Sequence, residues 1–155
     1  MTTRNQKGFT LIEVLLVMGL IAILAAIVII AINPVQQFKQ ARDTQRWANV
    51  NTILNAVHQY AVSNRGMIPG NITTTATEIC KSDATNCTGL LDLSSYLTAN
   101  ELYLVSMPID PVCPGGTPAC DANGVGYTLK TSSSGNGRIT VDAPQAELAT
   151  ISVTR

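Results

Sequence analysis

The sequence predicts an α+β chain: a long N-terminal helix, its apolar half membrane-spanning, packed against a small C-terminal antiparallel sheet. Three observations predict it. A run from Phe9 to Ile32 is apolar almost throughout and holds one ionisable residue, Glu13. An amphipathic helical pattern follows it to about Asn64. Strand-like segments come only near the C-terminus, separated by polar turns.

Residues 1–8 are short, polar and cationic, with Arg4 and Lys7. Residues 9–33 form the membrane and assembly half of the helix, and residues 34–155 form the head. As a helix the apolar run is about 36 Å long, enough to span a hydrocarbon core of about 30 Å. A secretory signal peptide fits this run poorly. Its apolar core would be shorter, and here Ala25-Ala26 is followed by more Ile and Val rather than by a polar mature start. A plain membrane anchor fits the length but gives no reason for Glu13.

Asn33-Pro34 then predicts a kink or local unwinding, because proline removes a backbone donor and clashes with the preceding turn. Beyond it Phe38, Ala41, Trp47, Val50, Ile53, Leu54, Val57, Tyr60 and Ala61 recur mostly at three- and four-residue steps, as a stripe that packs beneath a sheet. Arg65-Gly66 ends the helix. The basic residues Lys39, Arg42 and Arg46 are expected to face lipid headgroups or neighbouring subunits.

From Gly66 to Asp110 the pattern loosens, with Pro69-Gly70, a threonine-rich run from Thr73 to Thr77 and a short helix expected at Leu90 to Leu97. Strand signals follow at Gly126 to Thr131, Arg138 to Val141 and Leu148 to Val153. The polar segment Ser132 to Gly137 makes the first two a hairpin.

Four cysteines fall as Cys80/Cys87 and Cys113/Cys120, each pair seven apart and in Pro/Gly/Thr-rich loops. Four cysteines allow three connectivities. The spacing does not match a zinc knuckle, and His58, the lone histidine, lies far upstream. Two local disulfides, Cys80–Cys87 and Cys113–Cys120, are the expected pairing, which implies an oxidising surrounding for the head.

Composition excludes several functions. Beyond Arg65 there are four basic and eight acidic side chains. A mildly acidic head offers no direct nucleic-acid site, because such binding releases counterions through a cationic surface. No Ser/His/Asp or Cys/His nucleophile arrangement and no phosphate-binding glycine loop is present. The chain does not read as an enzyme, and no cofactor is required.

The segment Lys7-Gly8-Phe9-Thr10-Leu11-Ile12-Glu13 resembles the precursor signal of the type IV pilin and type II secretion pseudopilin families. The likeness extends to the layout of long helix, irregular middle and terminal antiparallel sheet. It also takes in Asp110-Pro111 and the stretch Ala143-Pro144-Gln145-Ala146-Glu147. The resemblance implies that a prepilin peptidase cuts between Gly8 and Phe9 on the cytoplasmic side and N-methylates Phe9, while the apolar segment is retained. It implies a filament, of one subunit or mixed with other pilins, built by a pilus assembly machinery. In that filament Glu13 of an incoming chain neutralises the Phe9 amine of the chain already in place. The protein is then a single-pass component of the cytoplasmic (inner) membrane before assembly, and part of an extracellular or periplasmic filament after it.

A physical argument runs beside that resemblance. A carboxylate within a membrane helix costs at least a few kcal/mol, so it marks function. The alternative from another class is a monomeric single-pass protein whose head binds a ligand.

Some pseudopilins bind calcium near the C-terminus, so the resemblance implies Asp110, Asp121 and Asp142 as calcium candidates. Asp121-Ala122-Asn123-Gly124 mimics the start of a calcium loop, but Ser132 stands where a closing acidic residue is needed. A Gly/Asn turn entering the hairpin is the favoured reading there.

Overall fold

The computed structural model describes residues 8–113, 120–134 and 137–155. Residues 1–7, with Arg4 and Lys7, lie outside the described residues. The chain falls into two compact units, Met1–Phe38 and Lys39–Arg155.

In the first unit, helix α1 spans Leu11–Ile32 and buries none of its side chains. It is long and apolar enough to cross a membrane. Asn33 ends it in the left-handed region, with φ 46°. Helix α2, Pro34–Ser63, begins at once with proline in its first turn. This is where proline belongs, since the first helical N–H has no partner in any case. The kink expected at Asn33-Pro34 is therefore a complete break in the ladder.

In the second unit, α2 and a four-stranded antiparallel sheet enclose one core. The strands are β1 Thr77–Cys80, β2 Gly124–Thr131, β3 Ile139–Ala143 and β4 Ile151–Thr154, in the order β1-β2-β3-β4. Alternation sets the faces. Val125, Tyr127, Leu129, Ile139, Val141 and Ile151 point inward and are buried, while Thr128, Lys130, Thr140 and Asp142 take the other face. From α2 come Val50, Ile53, Leu54, Ala56 and Val57. Each Val, Ile or Leu side chain among them contributes roughly 1.5–3 kcal/mol when fully buried. Tyr60 adds edge-on contacts to Tyr96 and Tyr103, with ring centroids 5.6 and 5.8 Å away.

Four expectations are corrected. The stripe on α2 stops short of its start: Phe38, Ala41 and Trp47 are exposed, so apolar burial begins only at Val50. Strand β1 lies in the segment read as irregular. It is held by Thr77 opposite Leu129 and Glu78 opposite Thr128, with a bulge before Cys80. Leu90 to Leu97 is not one helix. Leu91 exchanges backbone hydrogen bonds with Glu78 and Cys80, which draws it to the edge of β1. Helical turns occur only at Ser94–Thr98 and Ala99–Glu101. Finally, Arg46 is buried rather than turned outward, and Arg42 is paired with Glu147 within the head, as described next.

Candidate functional site

The N-terminal site is built by one helical turn. Thr10 is the N-cap of α1, in extended conformation, and its Oγ1 accepts the Glu13 N–H at 3.3 Å. Glu13 reaches back, its Oε2 accepting from the Thr10 N–H and from Thr10 Oγ1, both at 3.2 Å. This is a reciprocal capping box, which satisfies two of the donors a helix start leaves unpaired. The carboxylate is thus held at the positive end of the helix dipole. Thr-x-x-Glu ahead of an apolar run, here Thr10 to Glu13, is the sequence signal of such a box.

Phe9 lies just outside this turn, 87% exposed. Phe9, Glu13, Val17 and Ile21 follow at four-residue steps and line one open groove along the helix. Every atom of the capping box lies C-terminal to the Gly8–Phe9 peptide bond. Scission there would leave the box intact and place a new amine within one turn of Glu13.

In the head the disulfides are Cys80–Cys87 and Cys113–Cys120, with Cα atoms 5.7 and 5.8 Å apart. The three aspartates named as calcium candidates form no cluster; among the described residues no three His, Cys, Asp or Glu side chains stand together. Asp110 accepts from Arg46 through both oxygens, at 2.7 and 3.1 Å. Asp121 accepts the Asn123 N–H in a local turn, and Asp142 stands 3.7 Å from Lys130 Nζ. Engaged in separate contacts and with no shared centre among the described residues, these three do not form one calcium site.

The strongest electrostatic feature of the head went unread in the sequence. Arg46 is wholly buried and joins Asp110, Asp43 at 2.7 Å and Glu147 at 3.2 Å. Arg42 grips Glu147 through Nε and Nη2 at 2.6 and 2.7 Å. Asp43 also accepts the backbone N–H groups of Glu147 and Leu148. Hydrogen bonding from Arg42, opposed by desolvation and reinforced by Arg46, holds Glu147 down to about 2. Desolvation pushes Asp43 up, but the Glu147 and Leu148 amides and Arg46 together outweigh it and leave it below its usual value. Burial also acts against the charge on Arg46, and Asp110 and Asp43 more than restore it. Burial raises Tyr127 to about 12, despite the hydrogen bond that Asn49 Nδ2 donates to its hydroxyl at 2.9 Å. The network ties α2 to the loop before β2 and to the connection between β3 and β4. It is a structural fastening.

Comparison with known proteins places the N-terminal segment. Residues 3–32 match the family described as the prokaryotic N-terminal methylation motif. The chain is 44% identical over 61 residues to the type IV wide pilus major component PilA4 of Thermus thermophilus. That stretch is 39% of this chain and 45% of the relative, so the chain spans under half of the relative it matches. No solved structure matches. The N-terminal segment thus carries the prokaryotic N-terminal methylation motif, and over part of its length the chain is similar to a type IV pilin.

Proposed function

We propose that this chain is a structural subunit of a type IV pilus or pseudopilus, cut between Gly8 and Phe9, methylated at Phe9 and polymerised through α1. The observation that carries the reading is Glu13: one carboxylate, fastened in the first turn of an otherwise apolar 22-residue helix. Such a group is costly in a membrane unless it is paired. A cationic amine at Phe9, on a neighbouring subunit, is a partner of the right charge at the right end of the helix. The same exposed apolar surface then serves twice, holding the subunit in the bilayer and packing it in the filament. The oxidised cysteines support a head that stands outside the cytoplasm. The peptidase and the assembly machinery are the partners this reading requires.

The test is to shear filaments from cells, image them, and determine the N-terminal mass of the subunit. A start at Phe9 with one methyl group, in protein recovered from filaments, is the expected result. Protein that retains Met1 to Gly8 and yields no filament would favour a monomeric anchored binding domain.

A further inference from the structure

Two segments of the head carry the tripeptide Asn-x-Thr that asparagine-linked glycosylation requires, with x other than proline: Asn71-Ile72-Thr73 and Asn86-Cys87-Thr88. The tripeptide alone is common, so the side-chain environment has to separate an acceptor from a coincidence. Here it does so.

At the first, the amide nitrogen is already committed. Asn71 Nδ2 donates to the Asp92 carbonyl, and Asn71 Oδ1 is buried without a partner. Ile72 is buried in the core. The Thr73 hydroxyl is turned away from Asn71 and donates to the Thr75 carbonyl at 3.3 Å. The amide nitrogen becomes available only when its hydrogen bond to Asp92 opens.

At the second, the amide is held the other way round. Asn86 and Thr88 are both exposed, on the loop that the Cys80–Cys87 disulfide closes. Asn86 Oδ1 accepts from the Thr88 N–H at 2.9 Å and from Thr88 Oγ1 at 2.6 Å. Among the described residues no hydrogen bond holds Asn86 Nδ2. The turn therefore pins the carbonyl end of the amide and leaves the nitrogen presented to solvent.

We propose that Asn86 is an acceptor for an asparagine-linked glycan and that Asn71 is not. The donor is an activated sugar, joined through its anomeric carbon to a diphosphate leaving group. Nδ2 attacks that carbon and the N–C bond forms. The C–O bond to the diphosphate breaks, and the diphosphate departs with the electron pair. One Nδ2 proton passes to a base of the transferase. Deprotonating an amide nitrogen throws negative charge onto Oδ1, where the two Thr88 donors already stand to stabilise it. That is the chemical reason for threonine at the third position. This assignment needs the exposed head alone and no step of filament assembly.

The experiment uses the full chain recovered from its native host, reduced, alkylated and digested with trypsin. Cleavage after Arg65, Lys81 and Lys130 puts the two tripeptides on separate peptides, residues 66–81 and 82–130. A glycan mass increment on 82–130, with 66–81 unmodified, is the expected result. Asn86→Gln and Thr88→Val lose the increment, while Thr88→Ser and Asn71→Gln keep it. A non-reducing digest showing the Cys80–Cys87 cross-link in each variant separates loss of the acceptor from loss of the fold. An unmodified 82–130 peptide in the parent protein overturns the proposal. So does an increment that survives Asn86→Gln, which would place the sugar on a hydroxyl instead.

Discussion

Arg46 and Asp110, 64 positions apart, meet as a fully buried pair, Nε to Oδ2 at 2.7 Å and Nη2 to Oδ1 at 3.1 Å. Planar guanidinium and planar carboxylate match in two places at once, which fixes angle as well as distance. Asp110 also accepts the Val112 N–H at 2.9 Å, so the pair sets the turn through Pro111.

Removing the cation should be costly. Arg46→Ala leaves Asp110 and Asp43 buried without their main counter-charge, and one-sided loss of a buried pair costs about 3–5 kcal/mol. Arg46→Lys should recover only part of this, because an ammonium cannot serve both Asp110 oxygens and Asp43 in one plane. Denaturation of the full chain in detergent, followed by fluorescence of Trp47, measures both. Equal stability of parent and Arg46→Ala would show that the network contributes nothing net.

Acid should loosen the same fastening. Glu147 is held down to about 2 against an ordinary value of 4.5. A depressed carboxylate stabilises the fold above its unfolded value, and the contribution is lost as pH falls towards the folded one. Asp43, also depressed, acts in the same direction. The urea midpoint should therefore fall between about pH 4.5 and pH 2. Glu147→Gln should make that fall shallower, with the parent and variant curves converging at the acid end. Parallel curves across this range would contradict the assignment to Glu147.

The first helical turn was legible in the sequence because its residue types are chemically odd where they stand: a lone carboxylate in an apolar run, a glycine and a basic residue at its edge. The stripe from Val50 to Tyr60 and the strands β2, β3 and β4 were legible through their periods. Other features were not. Arg46 shows only a basic residue in a polar helix face with Asp43 one turn before it, and its other two partners lie 64 and 101 positions away, beyond any local pattern. Strand β1 has four residues, and its two buried positions, Ile79 and Cys80, are adjacent, so no alternation announces it.

Gly126 offers a test of close packing in the head. It has φ +83°, and a Cβ built there would lie 2.6 Å from Cys113 Sγ and 2.8 Å from Asp110 Cβ. A left-handed conformation costs an L-residue roughly 1–2 kcal/mol, and overpacking adds about 1–3. Gly126→Ala should therefore destabilise by about 3 kcal/mol. Gly137, also at positive φ but with nothing near its missing side chain, should lose only the conformational part on the same change. The paired denaturation curves check both, and equal losses would mean that the loop before β2 gives way without cost.

The functional reading turns on Glu13. Replacing it with Leu removes a charge from an apolar helix, so membrane insertion should be undiminished. The N-cap would lose half of its box. Thr10 Oγ1 can still accept the Glu13-position N–H, while the Thr10 N–H loses its partner, and capping changes of this kind cost about 1 kcal/mol. That loss is too small to unfold a 22-residue apolar helix in lipid, where every backbone group must stay paired. If Glu13 pairs with the Phe9 amine of a neighbouring subunit as proposed, filament growth is where the defect should appear. Glu13→Gln separates the two roles. It keeps a side-chain acceptor for the Thr10 N–H and loses the charge, so it should restore the cap and still assemble poorly. Membrane-held and sheared subunit, quantified for each variant at matched expression, give the answer. Assembly by Glu13→Leu at the level of the parent would remove the pairing mechanism and favour the monomeric anchor. Accumulation of uncut chain would instead assign Glu13 to recognition by the peptidase. A Gln variant that assembles as well as the parent would show that the capping box, not the charge, is what assembly needs.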